Sequence, residues 1–369
     1  MSGGVDSSVA ALLLKREGAD LVGLSMHLWD HDRDGTGAAA GRCCTLDDLA
    51  VARRAAETIG IPHYVLDLTE RFEEAVVRPF VTSYLEGRTP IPCTACNTEV
   101  KFKTLLSRAE ALGCDAVATG HYARVETDAA TGERRLLRAK DASRDQSYFL
   151  YDLTSDQLAH VLFPLGELEK TAVREIARDA GLPNWDKPDS QEICFVPNGT
   201  SPADFIRREA PRLGLDLPAI GGARAGEIFL EGGERVGAHE GTMAYTVGQR
   251  RGLRISSNDP LYVLATSPDE SRVVVGPAAS LLSKRIFLEA VSVRVAGGAR
   301  SPLPVLARIR SRHAEQSASL TLGDGGRGTL EFDEPVRAAA PGQSAVFYDR
   351  ARPELVLGGG IIARPGSPF

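Results

Sequence analysis

Ser2-Gly-Gly-Val-Asp-Ser-Ser8 is the stretch on which the fold turns. Two adjacent glycines let backbone N–H groups converge on an anion. Val5, Val9, Leu12 and Leu13 then recur at helical spacing, so the loop opens onto a helix N-terminus with its partial positive charge. These features together describe a phosphate cradle. The plainer reading is a turn with an N-cap, in which Asp6 and the serines only satisfy the first backbone donors. The loop has neither the Gly-Lys-Ser ending of a Walker A motif nor a Gly-x-Gly-x-x-Gly run, which argues against P-loop NTPases and dehydrogenases.

Outward from the loop, helices and short apolar strands alternate. Gly18 closes the first helix and Leu21–Met26 reads as a buried strand. Leu46, Leu49, Ala52, Arg53 and Ala56 mark a helix ended by Gly60, with Tyr64–Leu66 as the next strand. Phe102, Leu105, Leu106, Ala109 and Leu112 mark another, ended by Gly113 before Ala116–Ala118, and a further helix spans Glu169 to Ala180. This is the α/β pattern of a doubly wound parallel sheet covered on both faces. Past about residue 200, Gly, Pro and β-branched runs such as Arg272-Val-Val-Val275 predict two small β-rich domains with a break near Gly276-Pro277, the last a β-barrel. The expected domains are 1–203, 204–275 and 276–369. Gly35 to Gly41 reads as a mobile loop. A phosphate loop normally follows a strand, and no residues precede Met1 to make one, so a short apolar segment is expected upstream.

Bulk properties narrow the class. A chain of 369 residues calls for more than one core, and its 43% hydrophobic and 25% charged content is that of a globular protein. No apolar run approaches the roughly 20 residues of a membrane span, and Gly3, Gly4 and Asp6 break any signal-peptide pattern, so the expected location is cytoplasmic. A net charge of −6 argues against coating nucleic acid by bulk electrostatics and leaves room for local basic surfaces. Six cysteines in such a chain fit thiols kept reduced for catalysis or metal binding.

Three of those cysteines stand in informative surroundings. Thr89-Pro-Ile-Pro-Cys-Thr-Ala-Cys-Asn-Thr-Glu-Val-Lys-Phe102 places Cys93 and Cys96 just before a helix with Asn97 as the expected N-cap, where the helix dipole favours a thiolate. Cys194 lies in Asp186-Lys-Pro-Asp-Ser-Gln-Glu-Ile-Cys-Phe195. Cys114 reads as a small core residue, and Cys43-Cys44, after a Gly-rich loop, read equally as exposed loop residues or a sulfur relay, outside the catalytic set. Thr119-Gly-His121 ends a predicted parallel strand, the edge at which open α/β sheets place ligands. Arg144-Asp-Gln-Ser-Tyr-Phe149 mixes polar groups with aromatics in the manner of single-stranded RNA readers, although Tyr148 and Phe149 also suit the core, Phe149 more than the polar residues. Arg250, Arg251 and Arg254 put basic groups on a loop, and the period of two in Arg308, Arg310 and Arg312 puts them on one strand face.

The first loop resembles the PP-loop of ATP pyrophosphatases, which cleave ATP between the α- and β-phosphates. With Cys96-Asn-x-x-x-Lys-Phe102 and Asp189-Ser-Gln-Glu-Ile-Cys-Phe195 added, the chain resembles the bacterial tRNA-specific 2-thiouridylases over essentially its whole length. The resemblance implies a PP-loop, adenine nucleotide alpha hydrolase-like domain that adenylates the C2 oxygen of the wobble uridine, position 34, and replaces it with sulfur. It implies that Ser2, Gly3, Gly4, Asp6, Ser7 and Ser8 hold pyrophosphate, Asp6 through Mg²⁺, with Met26 at the adenine and Gly120 on ATP. By the same resemblance His121 lies near the target base, and Arg144, Asp145, Gln146, Arg308, Ile309 and Gln343 contact tRNA. Cys194 would carry a persulfide that Cys96 resolves; alternatively Cys93, Cys96 and Cys194 would ligate an iron–sulfur cluster. The implied partners are the tRNA anticodon stem-loop and a sulfur donor or relay protein fed by a cysteine desulfurase, with no membrane. Two rivals stand beside it: a PP-loop ligase or amidotransferase acting on a small molecule, and a non-catalytic tRNA-binding or sulfur-carrying protein.

Overall fold

The computed structural model describes residues 1–30, 45–189, 193–295 and 301–364. Cys43, Cys44, the Gly35 to Gly41 stretch and Ser190 to Glu192 lie outside them. The chain divides into two compact units, one made of Met1–Val76, Cys93–Gly199 and Glu354–Val356, the other of Val77–Pro92, Thr200–Pro353 and Leu357–Phe369.

The first unit opens with α1 (Val5–Arg16), β1 (Gly23–His27), α2 (Leu46–Ile59) and β2 (His63–Asp67). Thr45 and Asp48 form a capping box at the start of α2, and Gly60 ends it in the left-handed conformation. β1 and β2 pair in parallel, Gly23 opposite His63 through to His27 opposite Asp67, and the Met1 amino group donates to the Leu24 carbonyl beside them. α3 (Thr69–Phe72) passes through a π-helical segment, Glu73–Val77, into α4 (Arg78–Leu85), which belongs to the second unit. A second helical run joins α5 (Pro92–Ala95), a π-helix over Cys96–Phe102 and α6 (Lys103–Ala111). It is followed by β3 (Val117–Ala118), β4 (Ala123–Thr127), β5 (Arg134–Arg138), α7 (Ser155–Ala159), β6 (Val161–Leu162) and α8 (Lys170–Asp179).

Among the described residues of the first unit the parallel strands form two pairs, β1–β2 and β3–β6, with β4–β5 as an antiparallel hairpin. Two apolar clusters flank them, as expected of a doubly wound layer. Val5, Val9, Ala10, Ala56, Val173 and Ala177 join α1, α2 and α8, while Leu105, Ala109 and Val117 join α6 to β3, with Leu24 and Met26 of β1 packed against them. β2 is a strand but not a buried one: Tyr64 is 59% and Val65 41% exposed, since β1 is its sole partner among the described residues.

In the second unit α4 packs on α9 (Pro202–Arg212), with the Phe80 and Phe205 rings 6.1 Å apart and Arg78 donating to the Leu213 carbonyl. β7 (Gly226–Leu230), β8 (Arg235–His239), β9 (Tyr262–Ser267) and β10 (Arg272–Gly276) form a sheet in the order β8-β7-β10-β9 around Ile228, Val263, Val273 and Val275. The remaining strands are β11 (Leu282–Val293), β12 (Leu303–Arg308), β13 (Gln316–Leu322), β14 (Gly328–Arg337), β15 (Ser344–Asp349) and β16 (Val356–Ile362). They close into a six-stranded barrel, β11-β14-β13-β12-β15-β16, filled by Val305, Ala307, Ala318, Leu320, Leu330 and Phe347. Closure removes the exposed edges that an open sheet would carry.

Candidate active site at the phosphate loop

The phosphate loop is held by its backbone rather than capped. Gly4 is the N-cap of α1 and no side chain caps the first N–H groups of the helix, so the plain-cap reading of this segment fails. Ser7 Oγ accepts from Ser2 N at 3.0 Å and lies 3.2 Å from Ser2 Oγ. Gly3 has φ +75°, and a Cβ there would fall 2.4 Å from the Asp48 carbonyl oxygen. A Cβ on Gly120 would come within 2.6 Å of Asp6 C and Ser7 N. The missing side chain thus lets the β3 end touch the first turn of α1, which brings the predicted loop and Gly120 into one place.

Asp6 is engaged by protein groups. Lys170, the first residue of α8 and buried, donates to both its oxygens at 2.7 and 2.8 Å, and Tyr122 OH donates to Oδ1 at 3.0 Å. Burial, then the Asp6 charge and hydrogen bond, push the Tyr122 pKa up, so it remains a donor. This geometry does not fit Asp6 as a direct Mg²⁺ ligand: an internal ammonium already neutralises the carboxylate. On its other side Lys170 meets Asp189 Oδ1 at 2.8 Å, and Asp189 also pairs with Arg144 at 2.7 Å and Arg174 at 3.5 Å. Burial alone would raise the Asp189 pKa, but the Lys170 hydrogen bond and the three cations outweigh it and hold it below the usual carboxylate range. Asn184 donates to Gly3 O at 3.1 Å and Ser8 Oγ at 3.0 Å, and Lys187 donates to Gly3 O at 3.3 Å while pairing with Asp48.

The cysteine helix differs from its expected form. It starts at Pro92, so Asn97 is not an N-cap; its amide donates to the Phe149 carbonyl at 3.1 Å and its oxygen accepts from Lys101. Proline at the first helical position suits the start it marks. Cys93 therefore occupies the first turn and is exposed, whereas Cys96 opens the π-helix and is buried. π-segments of this kind are frequent at functional sites. Both cysteine segments rest on α3: Arg71 donates to the Glu99 carbonyl at 2.9 Å, and the Phe195 ring lies 5.6 Å from that of Phe72. Cys194, beside Phe195, is partly exposed. Among the described residues no three His, Cys, Asp or Glu side chains gather in metal-holding geometry, so Cys93, Cys96 and Cys194 do not form the three-ligand set that a cluster requires.

Residues 1–198 match the family described as tRNA methyl transferase HUP domain, 217–277 its PRC-barrel domain, and 285–362 the aminomethyltransferase β-barrel domain. The tRNA-specific 2-thiouridylase MnmA of Solibacter usitatus is 49% identical over 369 residues, covering 98% of this chain and 97% of that protein. Those of Koribacter versatilis and Methylobacterium radiotolerans are 44% and 48% identical, covering 98% and 99% of this chain and 97% and 92% of theirs. The chain belongs to the tRNA-specific 2-thiouridylase family.

Other residues singled out for this 2-thiouridylase family chain fall into distinct settings. Met26 sits on β1 against the α6 cluster. His121 has its ring boxed by Phe102 and Phe163, at 5.9 and 6.2 Å, and its Nδ1 is 2.9 Å from Thr119 Oγ1. Burial, then the Lys101 charge, push its pKa down to about 3, so the imidazole is neutral near pH 7. Arg144 is exposed, but Asp145 Oδ1 accepts from Ala139 N and Ser147 N, and Gln146 Oε1 accepts from Tyr122 N at 2.9 Å, so those two side chains shape the loop. Of the two aromatics there, Tyr148 is fully buried and Phe149 half-buried. Gln343 donates its amide to the Thr89 carbonyl at 2.7 Å.

The arginine stripe does not form. β12 ends at Arg308, which pairs with Glu315 at 3.2 Å and stacks over Tyr348; Ile309 is buried, and Arg310 donates to the Val247 and Ala338 carbonyls. Without a strand beyond Arg308, the period of two has nothing to act on. Arg250, Arg251, Arg254 and Arg312 are exposed. Cys114 is exposed rather than core, because β3 begins only at Val117. No helix among the described residues is long and apolar enough to cross a membrane.

Sequence reading missed Lys170, Asp189, Asn184, Lys187 and Tyr122. Asp189 and Lys187 stood inside the quoted Cys194 segment, and an aspartate five residues before a proposed nucleophile was the available signal.

Proposed function

We propose that this chain is a cytoplasmic tRNA uridine 2-sulfurtransferase, which uses ATP to adenylate the C2 oxygen of uridine 34 and then replaces that oxygen with sulfur. The observation that carries this reading is that buried Lys170 lies between Asp6 of the phosphate loop and Asp189 of the Cys194 segment, so one ion network would serve both the nucleotide and the sulfur chemistry. In the first step the uridine oxygen attacks the α-phosphorus of ATP and pyrophosphate leaves into the cradle of α1 N–H groups; Mg²⁺ enters on the phosphates of ATP. In the second, the terminal sulfur of a Cys194 persulfide attacks C2 and AMP leaves with the oxygen. The Cys96 thiolate then attacks Cys194 Sγ and breaks its bond to the transferred sulfur. 2-Thiouridine and a Cys96–Cys194 disulfide result, and an external thiol reduces the disulfide. The persulfide is loaded by a donor protein served by a cysteine desulfurase.

His121 offers a neutral imidazole beside the base, and the loop shaped by Asp145 and Gln146 presents Arg144 to the anticodon stem-loop. Exposed Arg250, Arg251, Arg254 and Arg312 track phosphates, with Arg308, Ile309 and Gln343 supporting the surrounding backbone. A ligase acting on a small molecule would need no second cysteine held on α3, and a carrier would need no anion cradle. Release of AMP and pyrophosphate from ATP decides among them: the proposed enzyme forms both in equal amounts only with tRNA, the ligase forms AMP without tRNA, and the carrier forms none.

A further inference from the structure

The π segment Cys96–Phe102 lies between α5 and α6, and side chains from outside that helical run hold its backbone. The Lys103 N–H donates to the Val100 carbonyl, only three positions back. The two carbonyls before Val100 accept from side chains: Glu99 O from Arg71 Nε and Nη2 at 3.2 and 2.9 Å, and Thr98 O from Gln157 Nε2 at 3.3 Å. Gln157 is buried and is anchored in turn, because its Oε1 accepts from Thr154 N at 3.0 Å in the capping box of α7. Asn97 adds a third tie through its amide to the Phe149 carbonyl. Thr94 and Thr98, two positions either side of Cys96, are buried, and neither hydroxyl has a hydrogen-bond partner among the described residues. Local pairing therefore does not account for this geometry. A helix left to its own preferences returns to i→i+4 bonds, and this one is kept from doing so by contacts made elsewhere in the chain.

We infer that Arg71 and Gln157 are positioning residues that keep the Cys96 helix in π register, and that this register sets where the Cys96 thiol meets the Cys194 sulfur. One residue subtends about 100° of an α-helix whose Cα atoms lie on a cylinder of radius ~2.3 Å. Closing the π segment to α pairing would turn Cys96 by about that angle relative to α6 and move its Cα by about 3.5 Å. Two cysteines bridge only over a Cα separation of about 4.4–6.8 Å, a window narrower than that movement. A misplacement on the order of 1 Å already costs about a hundredfold in rate, so a change of register is enough to leave Cys96 unable to resolve Cys194. Arg71 and Gln157 act on this step through the helix backbone. The inference rests on the proposed function for the role of Cys96, but the hold on the register needs neither ATP nor tRNA.

Four substitutions in the full-length chain test this. Arg71→Met removes the guanidinium donors at an exposed position, and Arg71→Lys keeps one donor. Gln157→Glu keeps an acceptor for Thr154 N but has nothing to donate to Thr98 O, whereas Thr154→Ala weakens the cap of α7 and leaves the Gln157 amide in place. Iodoacetamide labelling of Cys96, scored by peptide mass spectrometry against exposed Cys114, should change by about threefold or more in Arg71→Met and Gln157→Glu and stay at the wild-type rate in Arg71→Lys and Thr154→Ala. In the complete reaction, with labelled sulfur loaded on Cys194, 2-thiouridine formed per AMP should fall about tenfold in the first pair and hold in the second. A general loosening of the fold would lower both products in step and leave that ratio unchanged, which would overturn the inference. So would unchanged Cys96 labelling in Arg71→Met and Gln157→Glu, or a Thr154→Ala chain as impaired as Gln157→Glu, since Gln157 would then be a cap and nothing more. Labelling that shifts as expected while no chain, wild type included, makes 2-thiouridine would refute the proposed function and leave the hold on the register standing.

Discussion

The ring of His121 lies between Phe102 and Phe163, with Lys101 nearby, and every one of these neighbours penalises a proton on it. Its folded pKa of about 3 is below the 6.5 of an open chain, so as pH falls through 6.5 the unfolded state gains a proton that the folded state refuses. Stability from this group is therefore complete above pH 6.5 and drains away toward pH 3. Between pH 6.5 and 5 the loss is about 2 kcal/mol. Urea unfolding at the two pH values should show wild-type protein losing about that much more than His121→Gln. His63, His239 and His313, also lowered first by burial, are common to both chains and cancel. At this scale the sequence was partly legible: a paired glycine before a helix announces a cradle on its own. Lys170 was not, because it lies 164 positions from Asp6 and a lysine opening a helix looks like any solvated charge.

At the scale of elements, the helical run from Pro92 through the π-segment to Ala111 separates two cysteines that are three positions apart. Cys93 lies in the first turn, where solvent reaches it, while Cys96 is 6% exposed. Iodoacetamide should modify Cys93 about tenfold faster than Cys96 in the resting protein. Cys93→Ser should thiolate tRNA at near wild-type rate, whereas Cys96→Ser should accept labelled sulfur on Cys194 yet fail to deliver it. An inactive Cys93→Ser that still loads Cys194 would sink the two-cysteine route. The helices, the β-rich texture beyond residue 200 and the Gly60 and Gly113 stops could be read from periodicity and turn residues. The π-helix could not, since i→i+5 pairing has no composition of its own, and the misread cap at Asn97 followed from taking the run to begin one turn late. The arginine stripe failed for a related reason: period two holds only while the strand lasts, and β12 stops at Arg308.

At the scale of the whole molecule, the chain leaves the first unit at Val77 and returns at Cys93. The excursion is α4, whose Phe80, Val81, Tyr84 and Leu85 are buried, with Phe80 packed edge-on against Phe205 and tilted against Tyr84. Each such side chain contributes about 1.5–3 kcal/mol when buried. A fragment of residues 1–203 keeps these four side chains and loses Phe205. It should therefore bind a hydrophobic dye and self-associate in sedimentation, and Phe80→Glu with Val81→Glu should relieve both. A monomeric fragment 1–203 that binds no dye would show that α4 needs no partner from beyond residue 203. A cut placed by reading texture along the sequence passes through this arrangement unseen, because nothing in the composition of Val77–Pro92 marks it as belonging with residues beyond 200.

That excursion also sets a schedule for the ribosome. Leu85 emerges 120 residues before Phe205, which at roughly 5–20 residues per second leaves the apolar face of α4 waiting about 6–24 s for its partner. Throughout that interval the nascent chain carries a greasy helix immediately upstream of its two nearest thiols, Cys93 and Cys96. Newly made protein should therefore depend on chaperone shielding more than its finished stability would suggest, and a shortage of it should show first as cysteine cross-linked aggregates.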